Sequence, residues 1–186
     1  MSWLSRIIST PIIYYVYYPV EFEMLYYLSL GSNLGEREQT LRQAIQMIEQ
    51  QIGPVLRCSS FYYSDPWGFS SPNAFCNNCC AVETNLSPSD VLTTTQNIEK
   101  TLGRTKKSNN SDLQYKACLS EEASPLTCNL SPVTPPYSDR PIDIDIIRVF
   151  DGENEVRVST PELTIPHRFW QQRDFVKVPL AEIMQK

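Results

Sequence analysis

The order of strand-like and helix-like segments limits the folds open to this 186-residue chain more than any other feature of its sequence. Short apolar runs bounded by turn residues predict buried strands, and apolar residues at helical spacing predict amphipathic helices. The predicted order is β-α-β-β-α-β, with strands over 26–30, 55–63, 75–84 and 142–150 and helices over about 36–51 and 88–102. This order predicts an α+β protein with a ferredoxin-like antiparallel sheet and helices packed mainly on one face. A short partner strand is predicted over 156–158, and the tail over 161–186 is predicted to combine turns with a short helical end.

Two stretches fall outside this pattern. Residues 1–24 are apolar and aromatic, but Arg6, Pro11 and Pro19 interrupt them, whereas a membrane helix needs about 20 uninterrupted apolar residues. We leave them unassigned as an N-terminal extension. Residues 108–136 are rich in Asn, Ser, Pro and Thr, which is typical of a long loop. The sequence therefore predicts a single domain over 25–186 that carries a loop insertion over 108–136.

Composition excludes some partners. The net charge of -5 argues against sequence-independent nucleic-acid binding, which needs a basic surface, although a local basic pocket remains possible. An apolar fraction of 41% and a charged fraction of 20% are those of an ordinary soluble domain. We expect a cytoplasmic monomer that binds small molecules and neither nucleic acid nor membrane.

The cysteines of the third predicted strand have two interpretations. Cys76 and Cys79 show a CxxC spacing, which occurs in zinc and redox sites. A zinc site needs further ligands, and the only histidine, His167, is far away in sequence. The apolar flanks favour a buried strand in which cysteine fills space as a small apolar residue.

Two aspartates stand two positions apart in the last predicted strand. Side chains on a strand alternate, so Asp143 and Asp145 point to one face and the neighbouring isoleucines to the other. Adjacent carboxylates repel each other, and Mg²⁺ can relieve this repulsion while it also binds phosphate oxygens. A solvent-facing acidic strand is the alternative. The upstream Arg140 favours the metal site, because a guanidinium suits phosphate.

A second cluster, over residues 166–175, carries phosphate-type donors in His167, Arg168 and Arg173. A lone histidine is more often structural than catalytic, so His167 depends on its neighbours. No Gly-Lys-Ser/Thr sequence follows the glycines of 31–35, so no phosphate loop is predicted. Any bound ATP would be held by side chains and magnesium.

Several separate motifs occur together and in order between residues 26 and 183, outside the 108–136 loop. They are Leu30-Gly31-Ser32-Asn33-Leu34-Gly35, Ser60-Phe61-Tyr62, Phe75-x-Asn77, Gln96-x-x-Glu99, Leu102-Gly103-Arg104, Arg140-x-x-Asp143-Ile144-Asp145, and Leu163-Thr164-Ile165-Pro166-His167 with Arg173 and Phe175. With these motifs the chain resembles the 6-hydroxymethyl-7,8-dihydropterin pyrophosphokinase family. The resemblance implies transfer of pyrophosphate from ATP to a reduced pterin, a step of folate biosynthesis.

The resemblance also implies roles position by position. Asp143 and Asp145 would bind two Mg²⁺ ions, with ATP as co-substrate. The catalytic residues would be Arg104, Arg140, Asp143 and Asp145. The pterin site, with Phe75 and Phe175 stacked on the two faces of the ring, would comprise Ser64, Asp65, Trp67, Gly68, Phe75, Asn77 and Phe175. The ATP site would comprise Gln96, Glu99, Lys106, Lys107, Tyr137, Arg140, Ile146, Leu163, Thr164, His167 and Arg173.

The chain departs from the family pattern in several places. The loop between Arg104 and Arg140 is unusually long, Ser138-Asp139 stands where Gly-Pro is more usual, and Glu162 replaces a basic residue of some members. Two alternative functions predict a different set of residues. A non-catalytic ATP- or pterin-binding module would be expected to lack Asp143, Asp145 or Asn77, and an RNA-binding ferredoxin-like domain would need aromatic-basic motifs on its central strands.

Overall fold

The computed structural model describes residues 24–105 and 138–184. The N-terminal extension and the 108–136 insertion therefore lie outside the described residues, apart from Met24. The strands are β1 (Met24–Ser32), β2 (Val55–Cys58), β3 (Tyr62–Ser64), β4 (Phe75–Thr84), β5 (Asp143–Asp151), β6 (Asn154–Glu155), β7 (Val158–Ser159) and β8 (Thr164–Ile165). The helices are α1 (Arg37–Gln51), α2 (Pro88–Thr101), a 3₁₀ turn (Trp170–Gln172) and α3 (Asp174–Met184).

The main sheet is antiparallel and has β1 at its centre. Its strand order is β2-β4-β1-β5-β6, and β3 pairs with the first half of β4 while β2 pairs with the second half. β1 pairs with β4 on one side and with β5 on the other. The predicted α+β fold with an antiparallel, ferredoxin-like sheet is confirmed.

One face of the sheet forms the main core with α1 and α2. Alternate residues of β1, such as Tyr26, Leu28 and Leu30, are completely buried on this face. α1 contributes Leu41, Ala44 and Ile48 to the same core because these residues recur at helical spacing. Each large apolar side chain buried in this way stabilises the fold by about 1.5–3 kcal/mol.

The other face of the sheet is only partly covered. α3 packs Val176, Leu180 and Ile183 against Tyr27, Cys79, Ala81 and Ile147. The predicted short helical end is thus an 11-residue helix, and it lies on the face opposite α1 and α2. Among residues 24–105 and 138–184, nothing covers the rest of this face, toward the end of β1 and the beginnings of β4 and β5, which forms a cleft.

Two predicted strands differ from the structure in their details. The strand predicted over 55–63 is divided into β2 and β3, because Ser59 leaves the regular ladder and bonds Cys79 with both its backbone N–H and its hydroxyl. A partner strand was predicted over 156–158. Instead, β6 pairs with β5, and Val158–Ser159 pairs with β8.

The cysteines of β4 are buried free thiols. Cys76 contacts the core under α1 and α2, whereas Cys79 lies on the face covered by α3, so the two side chains point away from each other. Burial raises the pKa of Cys79 to about 12, which keeps its thiol neutral. The CxxC pair therefore cannot hold one metal ion between its two sulfurs.

Within the two described ranges, no helix combines the length and the apolar character needed to cross a membrane.

Candidate active site

The open part of the sheet face forms a concave cleft. Alternation on the three central strands directs one set of side chains into it, and the loop after β3 and the start of α3 form its walls. The lining residues are Ser29, Gly31, Ser64, Asp65, Trp67, Phe69, Phe75, Asn77, Arg140, Asp143, Asp145, Arg173 and Phe175. Aromatic rings, one amide and a cluster of charges therefore share one concave surface, which is typical of a small-molecule site.

Asp143 and Asp145 lie on the floor of this cleft. They occupy the start of β5, where the register places Gly31 opposite Asp143 and Ser29 opposite Asp145. Both partners are small, so the space above the two carboxylates stays open. The predicted orientation of the aspartates toward one face is confirmed.

Two arginines pair with Asp143. Arg104 Nη1 donates to Asp143 Oδ1, and Arg140 Nη2 lies 2.7 Å from Asp143 Oδ2. Burial by itself would raise the pKa of Asp143, but the guanidiniums of Arg140 and Arg104 hold that pKa below its usual range. Asp143 is therefore an ionised, oriented carboxylate.

Glu99 supports this arrangement from behind. Its Oε1 atom accepts hydrogen bonds from Arg104 Nη1 at 2.6 Å and from the backbone N–H of Ile144 at 2.7 Å. The side chain is only 5% exposed, and burial raises its pKa to about 7. Because Ile144 lies between the two aspartates, Glu99 ties the end of α2 to the acidic segment of β5.

An amide and an aromatic ring form the opposite end of the cleft. Asn77 is 3% exposed, and its Nδ2 donates to Tyr62 O and to Ser64 Oγ, both at 3.1 Å. These bonds orient the amide group within the cleft. Phe75 meets Phe69 edge to face, with 6.2 Å between ring centroids, and Arg140 Cζ lies 5.1 Å from the Phe75 centroid.

Arg173 is surrounded by aromatic rings. Its Cζ atom lies 4.4 Å from the ring centroid of Trp67, 5.9 Å from that of Phe169 and 6.0 Å from that of Phe175. Such cation–π contacts hold a guanidinium in place while it remains a donor for an anion. Arg173 is 7% exposed and lines the cleft.

Ten of the residues that the sequence singles out lie together in this cleft. They are Ser64, Asp65, Trp67, Phe75, Asn77, Arg140, Asp143, Asp145, Arg173 and Phe175. Gly68 is not among the lining residues and forms a turn with a φ of 80°. Lys106, Lys107 and Tyr137 lie outside the described residues.

The other residues expected near ATP surround the cleft without lining it. Glu99 and Arg104 stand behind Asp143, while Ile146 faces the main core and Leu163 packs against that core. Thr164 belongs to β8, and His167 Nδ1 accepts a hydrogen bond from the N–H of Phe169 at 3.4 Å. Gln96 lies half-buried on α2, and its role stays a prediction.

Three cleft residues were missed as site residues. Ser29 and Gly31 line it because they alternate with the core residues of β1 and β1 is the central strand. Their position could have been derived only from the pairing of β1 with β5. Phe69 follows the Trp67-Gly68 turn, and no local pattern distinguishes it from other loop aromatics.

The acidic pair suits Mg²⁺. Over residues 24–105 and 138–184, no group of three or more His, Cys, Asp and Glu side chains is arranged to hold a metal ion. Mg²⁺ is usually bound by one or two carboxylates together with substrate phosphates. Two carboxylates on one strand face, open to a cleft lined by arginines, match this donor set.

Comparison with known proteins agrees with this site. Residues 27–115 and 123–185 match the family described as 7,8-dihydro-6-hydroxymethylpterin-pyrophosphokinase. A 2-amino-4-hydroxy-6-hydroxymethyldihydropteridine pyrophosphokinase of Porphyromonas gingivalis is 41% identical over 159 residues, which cover 84% of this chain and 88% of that protein. The enzyme of the same name from Bacillus subtilis is 34% identical, over 86% of this chain and 78% of the relative.

A much longer relative is named for folic acid synthesis. The folic acid synthesis protein of Dictyostelium discoideum is 31% identical over 158 residues, which cover 84% of this chain and 19% of that protein. The family match over residues 27–115 and 123–185 includes the strands and helices that form the cleft. The chain belongs to the 7,8-dihydro-6-hydroxymethylpterin-pyrophosphokinase family.

Proposed function

We propose that this chain transfers pyrophosphate from ATP to 6-hydroxymethyl-7,8-dihydropterin in the cleft above β1, β4 and β5. The products are AMP and the pterin diphosphate, and the reaction is a step of folate biosynthesis. Membership of the pyrophosphokinase family supports the reaction. The observation that carries the assignment to this cleft is that Asp143, Asp145 and Asn77 open into the same space.

The pterin binds at the Asn77 end. A flat heterocycle has two apolar faces and a polar edge, which match the rings of Phe75 and Phe175 and the amide of Asn77. Stacking a heterocycle on aromatic rings contributes about 1–3 kcal/mol per base in nucleic-acid complexes, and we expect a similar contribution here. Ser64 holds the Asn77 amide, so the hydrogen-bonding edge is oriented before the pterin arrives.

The triphosphate binds at the acidic end. Arg140 and Arg173 line the cleft and offer charge-assisted hydrogen bonds to phosphate oxygens. Asp143 and Asp145 would hold two Mg²⁺ ions, which would supply positive charge to offset that of the phosphates. Arg140 and Arg104 keep the Asp143 carboxylate ionised, and Glu99 holds Arg104 in place beside it.

The protein contributes mainly position and electrostatics. The hydroxymethyl oxygen of the pterin bonds to the β-phosphorus of ATP and loses its proton to water, as the bond from that phosphorus to the AMP oxygen breaks and AMP leaves with the electron pair. Phosphoryl-type transfer requires little covalent participation by side chains, and correct placement of two reactants supplies much of the rate. The cleft suits this task because its two binding regions adjoin each other on one sheet face.

We further propose that the protein is a monomer and is located in the cytoplasm. The described residues of a single chain already form the cleft with its acidic and aromatic ends. The four described cysteines are free thiols, the state that a reducing compartment maintains.

An assay of AMP release tests the proposal. Wild type is incubated with ATP, Mg²⁺ and 6-hydroxymethyl-7,8-dihydropterin, and we expect AMP formation that requires the pterin. Asp143→Ala should abolish it, whereas Asp151→Ala, at the exposed far end of the same strand, should retain it. Release of ADP, or binding of both ligands without any AMP, would indicate a different kinase or a non-catalytic binding module.

A further inference from the structure

We propose that Asp139 is a positioning residue that fixes Arg140 and the loop over residues 65–74 in one arrangement. The inference deepens the proposed function, on which it rests. Asp139 does not line the cleft, whereas Arg140 and the loop residues Asp65, Trp67 and Phe69 do. Its effect on the reaction therefore passes through other residues.

The Asp139 carboxylate joins two separate segments of the chain. Its Oδ1 atom accepts a hydrogen bond from Asn33 Nδ2 at 2.6 Å, in the turn between β1 and α1. Its Oδ2 atom accepts one from Asn73 Nδ2 at 2.7 Å, in the loop that follows β3. Ser71 lies near the same carboxylate and is the main cause that lowers the pKa of Asp139. One side chain thus connects three segments: the turn, the loop and the strand-entry residues 138–140.

Asn33 passes this connection on to Arg140. Its Oδ1 atom accepts from the backbone N–H of Arg140 at 2.8 Å, and its own N–H donates to Arg140 O at 3.2 Å. Asn33 is 3% exposed, so water cannot readily replace the hydrogen bonds that its amide group makes within the protein. The backbone of Arg140 is therefore held on both sides by a residue that Asp139 orients.

The side chain of Arg140 begins at this fixed backbone. It reaches Asp143 at 2.7 Å and lies over the Phe75 ring, at the junction of the acidic and aromatic ends of the cleft. A displacement of the Arg140 backbone would move the guanidinium relative to both. Small misplacements of such donors reduce rates strongly, because the productive geometry is narrow.

An aspartate meets these demands better than an asparagine. Both carboxylate oxygens accept hydrogen bonds, and here each faces an amide donor. An asparagine would place its own NH₂ group against one of the two donors. The hydrogen bonds from Ser71, Asn73 and Asn33 also lower the pKa of Asp139, in keeping with an ionised acceptor at neutral pH.

The test compares Asp139→Asn with Asp151→Asn, which makes the same change at an exposed position of β5. Dissociation constants are measured for the pterin and for a non-hydrolysable ATP analogue with Mg²⁺, together with kcat, KM and the melting temperature. We expect Asp139→Asn to lower kcat/KM for the pterin at least tenfold while the melting temperature stays within a few degrees of wild type. Asp151→Asn should leave the dissociation constants, kcat and KM within twofold of wild type, and the melting temperature within a few degrees.

A double-mutant cycle separates positioning from general stability. Asp139→Asn should weaken binding of the ATP analogue in the wild-type background, but not in the Arg140→Ala background, because its effect passes through Arg140. Equal losses in both backgrounds would overturn the inference. An unchanged kcat/KM in Asp139→Asn would also overturn the inference about Asp139. The proposed function would still stand in that case, provided that the wild-type protein catalyses the reaction.

Asn73→Ala provides a second variant in case Asp139→Asn does not fold. It removes the donor on the loop side alone and leaves the Asn33 side intact. We expect weaker pterin binding with affinity for the ATP analogue within twofold of wild type. Pterin affinity equal to wild type would contradict the proposed link to the loop.

Discussion

The amide oxygen of Asn77 lies only 3.0 Å from the point that a Cβ atom on Gly31 would occupy. The two residues face each other across the β1–β4 pair, and both line the cleft. Glycine at this position therefore makes room for the amide that we assign to the pterin edge. The requirement is spatial, since Gly31 has no positive φ angle.

Gly31→Ala should impair pterin binding. The added methyl group would push Asn77 by a few tenths of an ångström, while its contact with Phe75, at 3.6 Å, is of ordinary length. We expect KM for the pterin to rise about tenfold, equivalent to about 1.4 kcal/mol, with KM for ATP nearly unchanged. Steady-state kinetics with each substrate varied in turn checks this. An equal rise in both KM values would instead indicate general distortion of the sheet.

Glu99→Ala should destabilise the fold. The substitution leaves the buried Arg104 without one of its two carboxylate partners and the Ile144 N–H without its acceptor. Removal of one member of a buried ion pair typically costs about 3–5 kcal/mol. Glu99→Gln keeps an oxygen for the Ile144 N–H, so its free energy of unfolding should fall less than that of Glu99→Ala. Denaturant unfolding measures both values, and wild-type stability in Glu99→Ala would refute the supporting role of this residue.

Gly53→Ala tests the close packing of the turn before β2. A Cβ atom there would stand 2.1 Å from the backbone oxygen of Glu83, so one of the two chain segments must move. Overpacking of this kind costs about 1–3 kcal/mol or more. The exposed Gln51→Ala, at the end of α1, serves as a control and should change the free energy of unfolding by less than about 0.5 kcal/mol. Equal stabilities for the two variants would contradict the close approach.

Asp139 should contribute measurably to the decrease in the free energy of unfolding at acidic pH. Its pKa is lowered in the folded state by hydrogen bonds from Ser71, Asn73 and Asn33, so its contribution to stability is present above pH 3.8 and is lost as the pH falls through the folded-state pKa. The difference in unfolding free energy between wild type and Asp139→Asn should therefore shrink on acidification below about pH 3.8. Denaturant titrations at a series of pH values test this. A difference that grows toward acid would reverse the sign and exclude the assigned bonds.

The sequence predicted those features that depend on local periodicity. Alternation placed Asp143 and Asp145 on one face, and helical spacing identified the buried residues of α1, because both patterns repeat within a few positions. The cleft residues Ser29 and Gly31 required knowledge of which strands pair with β1. Asp139 and Asn33 are 106 positions apart, and no local pattern could relate them. Glu99 was assigned to ATP by resemblance, yet its carboxylate bonds Arg104 and the backbone of β5.

The most direct test of the central claim is a crystal structure of the protein with Mg²⁺, a non-hydrolysable ATP analogue and the pterin. We predict metal ions at about 2.0–2.1 Å from carboxylate oxygens of Asp143 and Asp145, bridging to the phosphates, with the pterin beside Asn77. Both aspartates free of metal, with the nucleotide bound at another surface, would contradict the account.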